Sequence, residues 1–383
     1  MVERKGVEAS DNIEATLNSA LSITPDWFSK PGDSLRTLML RRSVNAQDIA
    51  RHLDGGIKTL RGLLDGSHPI DANHASVLAD AIGGTTSFWL KRQEQYEDAL
   101  ERAVDRAITV EAEDWLLLPV PGNKPRGRRT QETTRDEVRR RLRFFNVSTM
   151  DAWHARYGKI CTSTLFRTSS TFNSDDGAVL MWLRDGELSS DLISTKPWNA
   201  DNLRDRLDSI RKLSKLKQPE VFLPKLKELC AEAGVAVVAK KAPPKCRASG
   251  ASRLVAPDKA MILLSFRGLS DDKFWFTVFH EIGHLILHGA QTFVDSDING
   301  DDLDDYEHEA NEFSSRMIVP AKLVEEFERL PPNKNKVLRF SAKVDVSAGL
   351  LVGQMQHQKM IRPDQMNYLK RHWNWDDLAE VLD

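Results

Sequence analysis

The segment His280-Glu281-Ile282-Gly283-His284 sets two imidazoles four residues apart, with a carboxylate beside the first. On an α-helix that spacing turns through about 40° and rises about 6 Å, so both rings reach one point in space. Two neutral imidazoles meeting at a point are what a tetrahedral Zn²⁺ takes from a protein. A fourth position left to water would mark a catalytic rather than a structural site. Glu281 stands next to that point and can take a proton from water whose pKa zinc lowers to about 7. Gly283 lowers helix propensity by about 1 kcal/mol, which implies that another group approaches the backbone closely.

A third ligand must come from further along the chain. In the stretch EHEANEF, residues Tyr306, Ala310, Phe313 and Met317 form an apolar stripe at helical spacing, and Glu307 and Asn311 share the adjoining face. Glu307 is therefore the favoured ligand, with Asn311 orienting a ligand histidine through its other ring nitrogen. Glu309 competes for the role from the other side of the stripe. His288, one turn after His284, reads as a packed or capping histidine, the alternative being a group that polarises a substrate carbonyl. The segment DSDINGDDLDDY begins like a calcium loop. However, Tyr306 stands where the bidentate glutamate belongs, so a solvated acidic loop is expected.

These residues need a helix to carry them. Ser270, Asp271 and Asp272 can cap and charge the start of KFWFTVFHEIGHLILH, which Gly289 ends, and its flanking aromatic and aliphatic residues predict a dry setting. Strand-like runs lie just before it, at 235–240, 252–256 and 261–265. A helix around 305–318 and a helical tail follow. The second half is thus expected to be α+β, with a small sheet beside the motif helix.

The N-terminal third reads differently. Short helices succeed one another from 31 to 106, with Asp33, Asn45 and Asp71 as candidate caps and glycine pairs as stops. AQDIARHL, a DGG turn and IKTLRGLLDG have the lengths of a helix-turn-helix, whose second helix would turn Lys58, Thr59 and Arg61 outward toward DNA. Such domains also serve as protein-interaction modules, and this helix offers little for reading bases beyond two cations. The expected division is a flexible arm at 1–30 and the helical domain at 31–106. A linker at 107–131, rich in Pro, Gly and Arg toward its end, precedes a domain at 132–330 that carries the two-histidine motif and a helical segment at 331–383.

Bulk composition sets outer bounds. Across 383 residues the net charge is −2, so affinity for nucleic acid would have to come from local patches. The three cysteines, Cys161, Cys230 and Cys246, show no disulfide or Cys-rich metal spacing, which suits a reducing compartment. No run of about 18 apolar residues and no apolar leader is present, so a cytoplasmic location without membrane contact is expected.

On these residues the chain resembles the ImmA/IrrE family of metallopeptidases, in the subgroup whose N-terminal helix-turn-helix is similar to HigA antitoxins. LLSFRGLSDDKFWFTVFHEIGHLILHG and EHEANEF carry the resemblance in the second half. KPGDSLRTLMLRR and FWLKRQEQYEDAL carry it in the first, and VSAGLLVGQMQHQKMI near the end. The implied fold is α+β and mostly helical: an all-α helix-turn-helix domain, then a gluzincin-like zinc peptidase domain with a small mixed or antiparallel sheet. The resemblance implies His280, His284 and Glu307 as zinc ligands and Glu281 as catalytic base. The implied activity is cleavage of a repressor or antitoxin encoded nearby, which switches on a stress, phage-related or toxin–antitoxin response. DNA is an expected second partner through the helix-turn-helix, and a homodimer is left open. The alternative is a DNA-binding antitoxin or regulator whose zinc domain only binds a partner.

Overall fold

The computed structural model describes residues 28–122, 128–162, 174–289, 293–294 and 304–383. The expected arm up to residue 27, the linker residues 123–127 and the acidic loop at 295–303 lie outside the described residues.

The chain opens with α1 (Pro31–Arg42), α2 (Ala46–Ala50), α3 (Gly56–Asp65), α4 (Ala72–Ile82) and α5 (Thr86–Val110). Asn45 and Asp71 cap α2 and α4 through their side chains. Asp33 sits inside α1 rather than before it, because Pro31 starts the helix, and its carboxylate accepts the Lys30 N–H. Leu35, Ile49, Leu60, Leu78 and Trp89 close a core between these helices. The long α5 then leaves that core and enters a second, formed by Tyr96, Leu100 and Val104 with residues that follow.

Next come α6 (Ala112–Leu117), α7 (Gln131–Phe145), α8 (Met150–Thr162) and α9 (Ser174–Ser190). Residues 107–131, expected as a linker, are largely helical as far as Leu117. Trp115 and Leu118 are buried in the second core with Leu142, Phe145 and Trp153. A tryptophan this apolar anchors its backbone wherever a neighbouring helix can cover it, and α7 does so.

The second half contains α10 (Ala200–Arg204), α11 (Leu207–Leu213) and α12 (Pro219–Ala231), then β1 (Val235–Ala239), β2 (Gly250–Ala256) and β3 (Lys259–Leu264). These are followed by α13 (Asp271–His288), β4 (Phe293–Val294) and α14 (Asp304–Ile318). The described chain ends with α15 (Val324–Glu328), α16 (Lys334–Val344), α17 (Ala348–His357) and α18 (Trp375–Leu378). The sheet order is β1-β3-β2-β4, with β1 parallel to β3 and β2 antiparallel to both its neighbours. It is therefore mixed, and both faces are covered. Val235, Val237, Ile262 and Leu264 pack toward Trp275, Val278 and Phe279 of α13. Val238, Met261 and Leu263 meet Trp182 and Leu183 of α9 on the other face. Burial on both faces explains why β1 and β3 read as continuous apolar runs instead of alternating ones.

Two glycines set the approach of α17 to α13. A Cβ on Gly349 would stand 2.3 Å from Asp271 Oδ1, and one on Gly353 would stand 2.7 Å from Asp272 Cβ. Asp271 and Asp272 were expected to serve the helix start, and they lie in its first turn, but both are buried. Asp271 accepts hydrogen bonds from Ser347 Oγ and the Arg371 N–H, while Asp272 pairs with Lys370 at 2.7 Å. The first turn of the motif helix is thereby tied to the C-terminal segment.

Candidate metal centre

Helix α13 has a dry side and a chemical side. Phe274, Trp275, Val278, Phe279 and Ile282 sink into the main core, and the helix is long enough to place His280 and His284 well inside it. His280, Glu281 and His284 are 3%, 0% and 1% exposed. Helix α14 packs along the same helix at Gly283, where an added Cβ would meet Phe313 Cδ1 at 3.1 Å. The close approach implied by that glycine is thus the ring of Phe313.

This packing brings Glu307 to the histidines. Its Oε2 lies 3.1 Å from His280 Nε2 and its Oε1 lies 3.4 Å from His284 Nε2, while the two Nε2 atoms are 3.0 Å apart. One ligand atom from each of the three residues falls within 4.8 Å of the others, a group that could hold a metal ion. The outward nitrogens are engaged as well. His280 Nδ1 is 3.1 Å from Asn311 Oδ1, so its N–H donates there and the Nε2 lone pair turns inward.

On the other histidine the arrangement runs through a second ring. His288 Nε2 donates to Glu309 Oε2 at 2.8 Å, and its Nδ1 lies 3.1 Å from His284 Nδ1. With His288 neutral, its Nδ1 accepts the His284 Nδ1–H, and His284 Nε2 is left with a lone pair facing Glu307. Glu309, the competing ligand, is therefore occupied one step away, where it fixes a tautomer. The His288–Glu309 pair was not legible in the sequence as a unit, because only the rotation of α14 against α13 brings them together.

The charges match a metal's needs. Burial holds His284 neutral, with its pKa pushed down to about 4. Burial would raise Glu307, yet the adjoining His280 and His284 outweigh it and hold the carboxyl at about 2. A neutral His284 imidazole and an ionised Glu307 carboxylate are the protonation states a divalent cation binds. Zinc suits the set, being at home with mixed nitrogen and oxygen donors.

Glu281 rests against strand β2. A Cβ on Gly250, the first residue of β2, would stand 2.5 Å from Glu281 Oε1 and 2.6 Å from Thr277 Cγ2. The carboxylate therefore lies directly on the strand backbone, where only glycine leaves it room.

Residues 230–352 match the IrrE N-terminal-like domain. That family model is of the peptidase M78 type, and the match supports a zinc-dependent metallopeptidase of the ImmA/IrrE kind. No curated protein matches the chain. The IrrE-like segment contains all of β1 to β4, α13 and α14, and reaches into α17. The N-terminal helices lie outside it.

The residues expected to meet DNA are placed as follows. Lys58 is exposed. The Thr59 hydroxyl donates to Asp54 O at 2.5 Å, inside its own turn. Arg61 is half-buried, and its Nη2 donates to Ser189 Oγ of α9 at 3.2 Å. Arg36 reaches the same region through a 2.6 Å ion pair with Asp191. Among the described residues, no helix is long and apolar enough to cross a membrane.

Proposed function

We propose that the chain is a zinc-dependent endopeptidase that cleaves one specific regulatory protein, a repressor or antitoxin encoded nearby, and thereby switches on a stress, phage-related or toxin–antitoxin response. The observation that carries this reading is the meeting of His280 and His284 of α13 with Glu307 of α14, beside a buried Glu281. A merely structural metal would have no use for that carboxylate. When bound, zinc supplies Lewis acidity at the scissile carbonyl and acidifies a water molecule. The protein does the rest. Glu281 takes the proton of the attacking water and hands it to the leaving amine. Asn311 and the His288–Glu309 pair keep the two ligand rings turned inward. An extended substrate segment is placed along the β4 edge of the sheet, where main-chain hydrogen bonds would add a strand.

The test is to incubate the zinc-loaded protein with the product of the adjacent gene. One discrete cut should appear, disappear with a chelator and return with zinc. An intact target under all three conditions would remove the reading.

A further inference from the structure

A cavity of about 390 Å³ opens beside the metal centre, one turn up α13 from its histidines. Phe276, Ile318 and Leu350 give it apolar walls. Phe276 also stacks on His280, with ring centroids 6.3 Å apart, so the cavity and the metal cluster share a wall. Thr277 and Ser249 line it too, and they flank the Gly250 seam on which Glu281 rests.

Its inner lining is polar in an unusual way. Gln354 of α17 is 2% exposed, and neither its Nε2 nor its Oε1 has a hydrogen-bond partner among the described residues. Asp272 is 7% exposed, and its Oδ1 is likewise without one, although Oδ2 pairs with Lys370. Gly353, the neighbour of Gln354, brings α17 against Asp272, since a Cβ there would stand 3.0 Å from Asp272 Oδ2, and both polar residues line the cavity. Buried polar atoms left unmatched are strongly disfavoured, and those lining a cavity point to what fills it.

We propose that this cavity is the specificity pocket of the site and that it takes a carboxamide side chain, glutamine or asparagine, of the substrate. This rests on the peptidase reading above. The unmatched atoms are two acceptor oxygens, Gln354 Oε1 and Asp272 Oδ1, and one amide nitrogen, Gln354 Nε2. A primary amide has two N–H donors and one carbonyl, which satisfies all three, and turning the Gln354 amide over leaves the count unchanged. A guanidinium would leave the donor unmatched, and a carboxylate would leave both acceptors unmatched. Arg267 and Lys273 line the solvent side, where they repel basic side chains. An aliphatic side chain would fit the walls but leave the buried amide unpaired, which lowers affinity about tenfold to a hundredfold.

The experiment passes a library of random decapeptides over immobilised, zinc-loaded Glu281→Gln protein, which should retain substrates without cutting them. Mass spectrometry then reads the retained pool. Glutamine and asparagine should be enriched about tenfold or more at one position. Gln354→Met should erase that enrichment without lowering Tm, because it removes a buried unmatched amide. Gln354→Glu, which replaces the donor by acceptors, should shift the preference to arginine and lysine. Three results would overturn the proposal: no carboxamide enrichment, enrichment that survives Gln354→Met, or a marked fall in Tm for that variant. The last would mean that the amide holds a structural water. Cutting of the library by the wild-type chain separates the two readings. Carboxamide-selective retention without any cutting leaves the pocket standing and the peptidase fallen. Cutting without carboxamide preference does the reverse.

Discussion

Glu307 and Glu309 sit two residues apart on α14 and do different work. Glu307 lies against both Nε2 atoms, whereas Glu309 holds His288, which in turn orients His284. Glu307→Gln should therefore abolish tight zinc binding. Glu309→Gln should keep one zinc per chain but weaken affinity about tenfold to a hundredfold, the usual effect of losing a group that orients a ligand. Metal content after dialysis against graded chelator distinguishes them, and loss of zinc from the Glu309 variant alone would reverse the assignment. At this scale the sequence was informative where helical geometry suffices. The spacing of His280 and His284 places two rings, and the stripe through Ala310 and Phe313 places Glu307 and Asn311 on one face. It was silent where two helices must first be docked, as for the tautomer path through His288.

At the scale of elements, the strands were legible because β1 and β3 are continuous apolar runs, and their boundaries moved by only a residue or two. What could not be read was why β2 begins on a glycine. Gly250→Ala would suit a strand well by backbone preference, yet its Cβ would collide with Glu281 Oε1 and Thr277. The variant should fold and bind zinc while losing at least about tenfold in cleavage rate, since a displaced base transfers protons poorly. Comparing kcat with zinc affinity in one preparation checks this, and full activity would mean that Glu281 has room to move. The acids at the start of α13 teach a similar lesson. Asp271 and Asp272 look like helix-start residues, and their burial became visible only when Gly349 and Gly353 brought α17 onto them.

Across the whole molecule, one buried network joins the helical layers to the sheet. Glu187 of α9 accepts from Arg184 at 2.6 Å, from Arg253 of β2 at 2.7 Å and from the Tyr157 hydroxyl at 3.1 Å. Burial alone would raise its pKa, but Arg156, Arg253 and Arg184 outweigh that and hold it at about 2 against an ordinary 4.5. Because the folded value is the lower one, the ionised group stabilises the fold above about pH 4.5, and that contribution fades as pH falls toward 2. Glu187→Gln should be less stable by roughly 3–5 kcal/mol near neutrality, with the gap narrowing below pH 4.5. Urea unfolding at a series of pH values measures both, and a gap independent of pH would exclude the ionised form. The docking of α1 and α3 on the α9 region through Arg36 and Arg61 was beyond sequence reasoning, because each arginine reads equally well as a solvated charge. The central claim, that this centre cuts a protein with Glu281 as base, has its most direct test in Glu281→Gln assayed against the product of the adjacent gene. Fold and zinc content should be unchanged, with cleavage reduced at least about a hundredfold. Full activity in Glu281→Gln, together with its loss in His280→Ala, would contradict it and make the metal the support of a binding surface.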